Sequence, residues 1–244
     1  MALQLGPLVY CAEWPDAEDP DILSLVLPEN CELLAEFQPE LLGGVNVIRG
    51  NAEGAEKINA EGEIQTSPRK FAAIPYYAWA HRGPGQMAVW IPTSKESTRA
   101  KPFPTFASTS RVEASLQTPA ITGINDQLLP KNSADKTHTT YHWWPRTGET
   151  HWIIYHFERP ALVTESEVYW LKDIPNGGCN LPEKWKLYYQ SGEKWLEVIT
   201  DSPYPLEENK LNKLVFQPVK TTALKLEVVL SKDYSAGLHE WIVN

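Results

Sequence analysis

The sequence contains little of several residue types, and each shortage narrows the choice of structure and function. Only two of the 244 residues are methionine and three are cysteine, whereas ten are tryptophan and twenty are proline. No run of about 18 apolar residues occurs, so the sequence predicts no membrane-spanning segment. The formal net charge is −9, and an acidic chain without a basic patch is unlike proteins that bind nucleic acid. The abundance of Trp, Tyr and Pro favours a β-rich, turn-rich protein.

The three cysteines, Cys11, Cys31 and Cys179, are widely spaced and odd in number. This pattern predicts neither a disulfide framework nor a zinc site. We expect buried free thiols, which behave as small apolar side chains.

The first residues, "MALQLGPLVYCAEW", contain no basic stretch and no long apolar stretch, so they do not form a signal peptide. The chain begins within a run that is typical of a β-strand. This predicts that the chain is a piece of a longer protein and that Met1 marks a cut.

The chain divides by composition into two parts. Residues 93–108, "TSKESTRAKPFPTFAS", are polar, contain two X-Pro steps and are predicted to be a linker. We therefore expect one domain over residues 1–103 and a second over 104–244. Within the first, the polar and Gly-rich residues 51–67 predict a loop or an exposed hairpin tip.

The stretch "FAAIPYYAWAHRGPGQMAVWIP", residues 71–92, consists of two apolar runs joined by "HRGPG". Gly83, Pro84 and Gly85 are typical turn residues, so the stretch predicts a hairpin. Its aromatic side chains are open to three interpretations, namely a platform that stacks on a sugar, the wall of a catalytic pocket, or sheet core. Because aromatic residues suit pleated, half-buried surfaces, we favour core and domain interface. The residues concerned are Tyr76, Tyr77, Trp79 and Trp90.

Strand-length runs separated by Gly, Pro or polar residues follow in the second part, and no helix of three turns is indicated. They include "HWIIYHFERP", "ESEVYWLKD", "LNKLVFQPV" and "TALKLEVVL", and a hairpin "KWKLYYQSGEKWLEV" with its turn at Ser191-Gly192. Short antiparallel strands spaced by turns predict a β-sandwich. The predicted fold class is all-β, with two consecutive antiparallel, jelly-roll-like β-sandwiches.

Three blocks in the first part resemble the C-terminal β-sandwich of β-L-arabinofuranosidase-like glycoside hydrolases, family 127 and its relatives. They are "LQLGPLVYCAEWPD", "ELLGGVNVIRG" and "AIPYYAWAHRGPGQMAVWIP". The resemblance implies that the catalytic (α/α) barrel, with its acid, cysteine nucleophile and zinc ligands, precedes this region. None of those residues matches a position here, and Cys11 lies within a strand rather than in the family's catalytic motif. The barrel is therefore the expected partner, and the parent enzyme is expected to be secreted or periplasmic.

The second part resembles discoidin-like, or galactose-binding-like, modules (the coagulation-factor type C fold) in blocks such as "STSRVEAS", "HWIIYHFERPALVTESEVYW" and "AGLHEWIV". The resemblance implies sugar binding through loops at one end of the sandwich, with arabinose- or galactose-containing plant glycans as candidate ligands. Aromatic rings with nearby Arg, Asn or His suit sugars. The alternative interpretation makes Trp144 and Trp185 core residues, and adjacent residues of an extended segment face opposite sides, so at most one of Trp143 and Trp144 belongs to the core. The predicted sugar-binding residues are His138, His142, Trp143, Arg146, Asn176 and Asn180.

The segment "GINDQLLPKNSADK" contains hard oxygen donors of the kind that calcium prefers. The resemblance implies a structural calcium ion held by Asp126 together with Glu240 on the last strand, although Gln127 occupies a position where the family usually has glycine. Water or backbone N–H groups could satisfy the same oxygens instead. The predicted calcium ligands are Asn125, Asp126, Ser133, Asp135 and Glu240.

No motif defines a catalytic site in this chain. Glycoside hydrolysis needs two carboxylates facing one another across a sugar, and no pattern selects such a pair. The sequence also lacks a nucleophile elbow, a P-loop and a dinucleotide-binding glycine pattern. We therefore expect a non-catalytic accessory region of a glycoside hydrolase. The alternatives are purely structural domains that bind no glycan, or a self-contained glycosidase.

Overall fold

A computed structural model describes residues 1–16, 21–59, 61–83 and 85–244. The chain forms two compact units, Met1–Phe103 and Pro104–Asn244, called the first and second unit below. Both consist of antiparallel strands with short 3₁₀ turns. The all-β fold class predicted from the sequence is confirmed.

The first unit contains one antiparallel sheet with the order β1-β2-β6-β5-β3, in which β4 also pairs with β5 and β7 with β2. Within the described ranges, 3₁₀ turns cover Trp14–Asp16, Ile22–Ser24, Tyr76–Ala78 and Lys95–Ser97. The strands are β1 (Leu3–Leu5), β2 (Leu8–Glu13), β3 (Leu25–Val26), β4 (Leu33–Gln38), β5 (Val45–Lys57), β6 (Ile64–Pro75) and β7 (Met87–Ala88).

The long hairpin of β5 and β6 supplies apolar side chains to both faces of this sheet. Ile48 and Phe71 belong to one apolar cluster, while their neighbours Val47 and Ala72 belong to another. This follows from the two-residue repeat of a strand, which directs successive side chains to opposite faces. Because β5 extends to Lys57 and β6 begins at Ile64, residues 51–57 and 64–67 belong to strands. The loop predicted over these residues is wrong. The hairpin alternative is limited to residues 58–63, of which Ala60 lies outside the described residues.

The hairpin predicted within residues 71–92 is wrong. Strand β6 ends at Pro75, and Met87–Ala88 pairs with β2 instead of with β6. The two apolar runs thus lie on opposite sides of β2, which pairs with β6 through Tyr10–Ala12. Of the three predicted turn residues, Pro84 lies outside the described residues.

The aromatic side chains of this stretch are exposed, so their interpretation as sheet core is wrong. Tyr77 is 62% exposed and Trp90 is 78% exposed, and Tyr76 and Trp79 are also largely open to solvent. Since Tyr76–Ala78 forms a 3₁₀ turn after the strand has ended, its side chains leave the alternation that would bury every second one.

Much of the predicted linker packs on the first unit. The Thr98 hydroxyl contacts the carbonyl oxygens of Leu23 and Leu25 at 3.1 Å. The Lys101 N–H donates to Ala55 O over 2.8 Å, and Ala100 is buried. Residues 98–101 are therefore part of the domain, because their backbone groups complete the edge of its sheet.

A buried ion pair fixes the segment that follows β6. Glu13 is fully buried, and its Oε2 lies 2.5 Å from Nη2 of Arg82, which also contacts Asp16 Oδ2 at 2.6 Å. The other Glu13 oxygen accepts the N–H of Ala80 over 2.9 Å. The hydrogen bonds that Arg82 donates to the Asp16 and Glu13 carboxylates raise its pKa well above the ordinary value, so the cation persists throughout the accessible pH range.

Replacing Arg82 with methionine should destabilise the first unit by about 3 kcal/mol, because the Glu13 carboxylate would stay buried without a counterion. Urea denaturation monitored by tryptophan fluorescence measures the change. Arg49→Met is the matched control, since Arg49 pairs with Glu36 where both side chains are at least half exposed, and about 0.5 kcal/mol is expected there. Equal losses in the two variants would contradict the assigned role of Arg82.

The second unit, in which every residue is described, contains seven strands in one antiparallel sheet. Their order is β12-β11-β13-β10-β14-β9, and β8 pairs with β10. A 3₁₀ turn covers Pro119–Ile124. The strands are β8 (Arg111–Ala114), β9 (Tyr141–His142), β10 (Thr150–Leu171), β11 (Lys184–Ser191), β12 (Lys194–Glu197), β13 (Leu211–Val229) and β14 (Gly237–Val243).

Two long strands, β10 and β13, pass through both layers of the second unit. They pair along most of their length, with register shifts near Pro160 and again between Val163 and Glu165 of β10. Before these shifts the other neighbour of β10 is β8, and after them it is β14. Ile153 and Val168, from the two halves of β10, contact the same apolar cluster. The sheet therefore bends over itself into a sandwich, and runs predicted as separate strands are continuous.

The core of the second unit is rich in aromatic residues. Trp143, Trp170, Trp185 and Trp241 are essentially inaccessible to solvent. Trp241 stacks on Tyr155 with ring centroids 4.0 Å apart. Large rings thus fill the volume that a methionine-poor sequence cannot fill with flexible side chains.

The cysteines are free, as predicted. Cys11 and Cys179 are buried, whereas Cys31 is partly exposed. Burial raises the pKa of the Cys11 thiol to about 11 and that of Cys179 to about 12, so both are protonated and unreactive at neutral pH. Over the described part of the chain, no helix is long and apolar enough to cross a membrane.

Candidate carbohydrate-binding site

A cavity of about 450 Å³ opens at the surface of the second unit. Two loops form its walls, and each contains a cis-proline bond, Trp144-Pro145 in one and Ile174-Pro175 in the other. This volume lies within the range of small-molecule sites. The lining residues are His142, Trp144, Asp173, Pro175, Asn176, Gly177, Gly178 and Cys179.

The two neighbouring tryptophans have opposite roles to those predicted. Trp143 is fully buried, its ring lying edge-on to Tyr141 and stacked on His151. It therefore cannot present a ring face to a sugar, and its prediction as a binding residue is wrong. Trp144, which only the alternative interpretation placed in the core, is 56% exposed and lines the cavity. The rule that at most one of the pair belongs to the core holds, with Trp143 as that residue.

Two glycines allow the cavity walls to approach closely. A Cβ atom at Gly178 would lie 2.4 Å from the Trp144 indole, and one at Gly177 would lie 2.0 Å from the Asp173 carboxylate. Both distances are shorter than any real contact, so the indole and the carboxylate rest directly on the backbone of the Asn176–Cys179 segment. The pair of glycines is therefore required by packing rather than by flexibility.

Asp173 is the acidic group of the cavity, and its carboxylate is held from two directions. One oxygen accepts the N–H of Cys179 over 2.9 Å, and the other lies 3.1 Å from the ammonium group of Lys136. Only 12% of the Asp173 side chain is exposed. The carboxylate thus stays in one orientation and offers acceptor lone pairs to a ligand hydroxyl.

Two of the six predicted sugar-binding residues, His142 and Asn176, lie in the cavity wall. The Nδ1 atom of His142 is buried and has no hydrogen-bond partner within the described protein. Asn176 is exposed at the rim. Imidazole and carboxamide groups supply the donors and acceptors that hold sugar hydroxyls.

The other predicted residues lie outside the cavity lining. The side-chain oxygen of Asn180 accepts the N–H of Leu181, and the backbone N–H of Asn180 donates to Ser235 O. Arg146 is exposed just beyond the Trp144 loop. His138 is partly exposed and lies near Asp135. The structure does not bring these three residues together with His142 and Asn176.

The predicted calcium ligands separate into a central pair and three residues with other partners. Glu240 on β14 is buried, and its Oε2 lacks a hydrogen-bond partner among the described residues. Burial, together with the adjacent Asp126 carboxylate, raises the pKa of Glu240 to about 9. The N–H of Gln127 donates to the same carboxyl group and opposes that shift. Asp126 and Glu240 are thus neighbours.

The remaining three side chains form local contacts instead. The Asn125 amide donates to Ala107 O over 2.8 Å, and the Ser133 hydroxyl oxygen accepts the N–H of Asn209 over 2.7 Å. The Asp135 oxygens accept N–H groups of Lys131 and Thr137. These bonds lower the pKa of Asp135 well below its usual value. No group of three or more His, Cys, Asp or Glu side chains converges on one point in the described part of the chain.

Gln127 adopts the backbone conformation that glycine would adopt there. Its φ is +63°, in the left-handed region that residues with a Cβ avoid. The departure from the usual glycine therefore preserves the loop geometry at the expense of local strain.

Replacing Gln127 with glycine should stabilise the second unit by about 0.5–1 kcal/mol. Relief of left-handed strain contributes about 1–2 kcal/mol, and the greater freedom of glycine in the unfolded chain offsets part of it. Thermal unfolding followed by circular dichroism measures the change, with Gln127→Ala as the control that retains the strain. A gain from Ala equal to that from Gly would show that the backbone conformation is not the cause.

Sequence reasoning missed Asp173 as a site residue, and of the two neighbouring tryptophans it selected Trp143 rather than Trp144. The loop "DIPNGGCN", residues 173–180, contains a usable signal in Asp173, four residues before two consecutive glycines. Nothing in the dipeptide Trp143-Trp144 indicates which ring is buried, because that depends on where β9 ends.

Comparison with known proteins identifies the first unit. Residues 1–92 match the model of a family described as the glycoside hydrolase family 127 C-terminal domain. The non-reducing end β-L-arabinofuranosidase of Bifidobacterium longum subsp. longum is 32% identical over 101 residues, covering 37% of this chain and 15% of the relative. The first unit thus resembles a family 127 C-terminal domain, and the resemblance predicted for it is confirmed.

Two solved structures are similar to parts of this chain. A GH127 β-L-arabinofuranosidase from Geobacillus stearothermophilus T6 is 43% identical over 37% of this chain and 15% of that chain, with a TM-score of 0.35. A structure from the Streptococcus pneumoniae β-galactosidase is 16% identical over 59% of this chain and 96% of that chain, with a TM-score of 0.49. The chain spans about 15% of the length of the family 127 relatives.

Proposed function

We propose that the chain is a non-catalytic accessory region of a polysaccharide-degrading glycoside hydrolase, and that its second unit binds carbohydrate in the Trp144 cavity. The observation that carries this proposal is the exposed Trp144 indole beside the fixed Asp173 carboxylate in a cavity of about 450 Å³. The first unit supports the rest of the enzyme, as its resemblance to a family 127 C-terminal domain suggests.

The chemistry of the cavity suits a sugar better than an apolar ligand. A sugar presents C–H groups on one face and hydroxyl groups around its edge, so it needs an aromatic surface together with hydrogen-bonding groups. Trp144 supplies the surface, while Asp173, Asn176 and His142 supply polar groups along the wall. The acidic carboxylate favours a neutral sugar, because it would repel the carboxylate of a uronic acid.

We propose that the cavity binds sugar without hydrolysing it. Every residue of the second unit is described, and the cavity wall contains one carboxylate, that of Asp173. Glycoside hydrolysis uses two carboxyl groups, one as acid and the other as base or nucleophile. Asp126 and Glu240 do form a pair, but Glu240 is buried and absent from the cavity lining.

Replacing Trp144 with alanine should weaken glycan binding about tenfold, since loss of an aromatic stacking partner costs about 1.5 kcal/mol. The probe is the strongest arabinose- or galactose-containing ligand found on a glycan array, titrated calorimetrically into the 244-residue chain. Trp90→Ala is the control, because Trp90 is an exposed tryptophan of the first unit.

Unchanged affinity in the Trp144 variant, or an equal loss in the Trp90 variant, would contradict the proposed site. An array on which the folded chain binds nothing, with calcium and with a chelator, would favour purely structural units.

We further propose that Asp126 and Glu240 hold a structural calcium ion. The buried Glu240 Oε2, which has no protein partner, and the neighbouring Asp126 carboxylate are hard oxygen donors that fit this cation. The cation would neutralise two adjacent acidic groups and thereby fix the segment around Gln127. The parent enzyme is proposed to act outside the cytoplasm, in the secreted or periplasmic space.

Calcium at about 100 times its dissociation constant should stabilise the second unit by about 2.7 kcal/mol, and a chelator should reverse the effect. In Glu240→Gln the calcium-dependent rise in melting temperature should disappear, while the variant keeps the size and neutrality of the protonated side chain. Differential scanning calorimetry measures both. A calcium-dependent rise that persists in the variant would place the ion elsewhere.

A further inference from the structure

A second cavity, of about 270 Å³, lies on a sheet face of the second unit and shares no lining residue with the Trp144 cavity. Successive side chains of a strand point to opposite faces. In β11 Trp185 and Leu187 are buried in the core, so the residues between and beside them point outward. We call this second cavity the sheet-face cavity. Its outward-facing lining residues are Thr150, Lys184, Lys186, Tyr188, Glu227 and Val229.

The strand register determines the shape of the sheet-face cavity. Val229 of β13 pairs with Lys184 of β11 on one side and with Thr150 of β10 on the other. Val229 therefore forms the floor, and the backbones of Lys184 and Thr150 lie about 10 Å apart, at two strand spacings. Glu227 pairs with Lys186 and borders one end. The cavity is wide enough for one sugar residue of a longer chain.

One ammonium group of the cavity wall has no counterion. Lys186 Nζ lies 2.7 Å from Glu197 Oε2, and Lys225 Nζ lies 3.4 Å from Glu227 Oε2. Lys184 is exposed and forms no ion pair with any side chain of the second unit, every residue of which is described. An unpaired cation thus lies at a cavity of a chain whose formal net charge is −9.

The Tyr188 ring is held in the cavity wall by two contacts. Its hydroxyl oxygen lies 3.3 Å from Glu227 Oε1, and the Lys225 ammonium group lies 4.4 Å from the ring centroid. Burial and the charge of Glu227 raise the pKa of Tyr188 to about 12, so the hydroxyl is protonated at neutral pH and donates to Glu227. Because Glu227 also contacts Lys225, its charge is largely neutralised and repels an approaching anion only weakly.

Two partly exposed tryptophans extend this face beyond the cavity. Trp152 of β10 pairs with Glu227, and Trp195 of β12 pairs with Gln190 of β11. Both rings point outward, since they alternate with buried neighbours or pair with outward-facing positions. The Lys225 ammonium group lies 5.6 Å from the Trp195 ring centroid. A ligand longer than one sugar residue therefore meets further aromatic surface.

We propose that the sheet-face cavity binds a uronic acid residue of an acidic glycan, with the sugar carboxylate at Lys184 and the sugar ring beside Tyr188. The unpaired ammonium group supplies the complementary charge. The Thr150 hydroxyl and the Glu227 carboxylate supply groups that bond sugar hydroxyls, and the Tyr188 ring supplies an apolar surface. This ligand differs from the neutral sugar proposed for the Trp144 cavity, so the inference adds a second site with a different specificity.

The test uses the complete 244-residue chain and a trimer of galacturonic acid, in buffer without divalent cations. The matched neutral probe is the same trimer with its carboxyl groups methyl-esterified. In two-dimensional ¹H–¹⁵N NMR titrations the acidic trimer should shift the amide signals of Thr150, Lys184 and Glu227. The esterified trimer should bind at least about fivefold more weakly, because it forms no ion pair with Lys184.

The variant Lys184→Gln supplies the second measurement. It should weaken binding of the acidic trimer about fivefold and leave binding of the esterified trimer unchanged. The matched control is Lys220→Gln, which removes the same charge from an exposed lysine of β13 beyond the register shift, and it should have no effect. Trp144→Ala should also leave the affinity for the acidic trimer unchanged.

Equal affinities for the acidic and esterified trimers would overturn the proposal, as would equal losses in the two lysine variants. Amide shifts confined to the loops around Trp144 would assign the acidic sugar to that cavity instead. The absence of any shift at trimer concentrations up to about 10 mM would also count against the site, since it corresponds to less than about 3 kcal/mol of binding. The array result for neutral glycans and the Trp144 variant does not affect these outcomes, so the two sites are judged separately.

Discussion

The pairing of β10 with β13 is the interaction on which the second unit depends. These two strands run through both layers of the sandwich, and β8, β11 and β14 each pair with one half of them. The bend occurs where the register shifts, near Pro160 of β10. Proline cannot donate to a sheet, so a break in the pairing is where it is tolerated. Side chains from both halves then meet in one aromatic core, which fixes the strand ends and hence the loops.

A few packing contacts connect the candidate site to the aromatic core of the second unit. Trp143 is anchored in the core, which forces the next residue, Trp144, outward. The facing loop can approach the indole because Gly178 has no side chain, and it is held there by the bond from Cys179 N–H to Asp173. The cavity thus combines a rigid aromatic surface with a fixed acceptor. Pre-organisation of this kind lowers the entropy lost when a ligand binds.

The first unit relies on a different device. A buried carboxylate, Glu13, is matched by an arginine from the segment after β6, and this contact orients residues that the sheet itself leaves unpaired. The result is a surface whose apolar side chains are exposed yet ordered.

Much of the fold could be predicted from the sequence, because two-residue alternation and turn residues are local signals. The β-rich class and the position of Trp185 in the core follow from such signals. The hairpin predicted in residues 71–92 is wrong because β2, which precedes β7 by more than seventy residues, lies between the two apolar runs, and no local signal indicates this.

The binding site was predicted less well than the fold. The choice between Trp143 and Trp144 depends on the end of the two-residue strand β9, and the local sequence does not determine that end. Convergence of loops is a tertiary property, so His142 and Asn176 were found together while His138 and Arg146 were not.

The most direct test of the central claim is a crystal structure of the 244-residue chain soaked with its strongest glycan ligand. We predict a sugar ring against the Trp144 indole, with a hydroxyl group within hydrogen-bond distance of Asp173. A sugar bound elsewhere, for example on Tyr77 and Trp90 of the first unit, with the Trp144 cavity containing only water, would contradict the account.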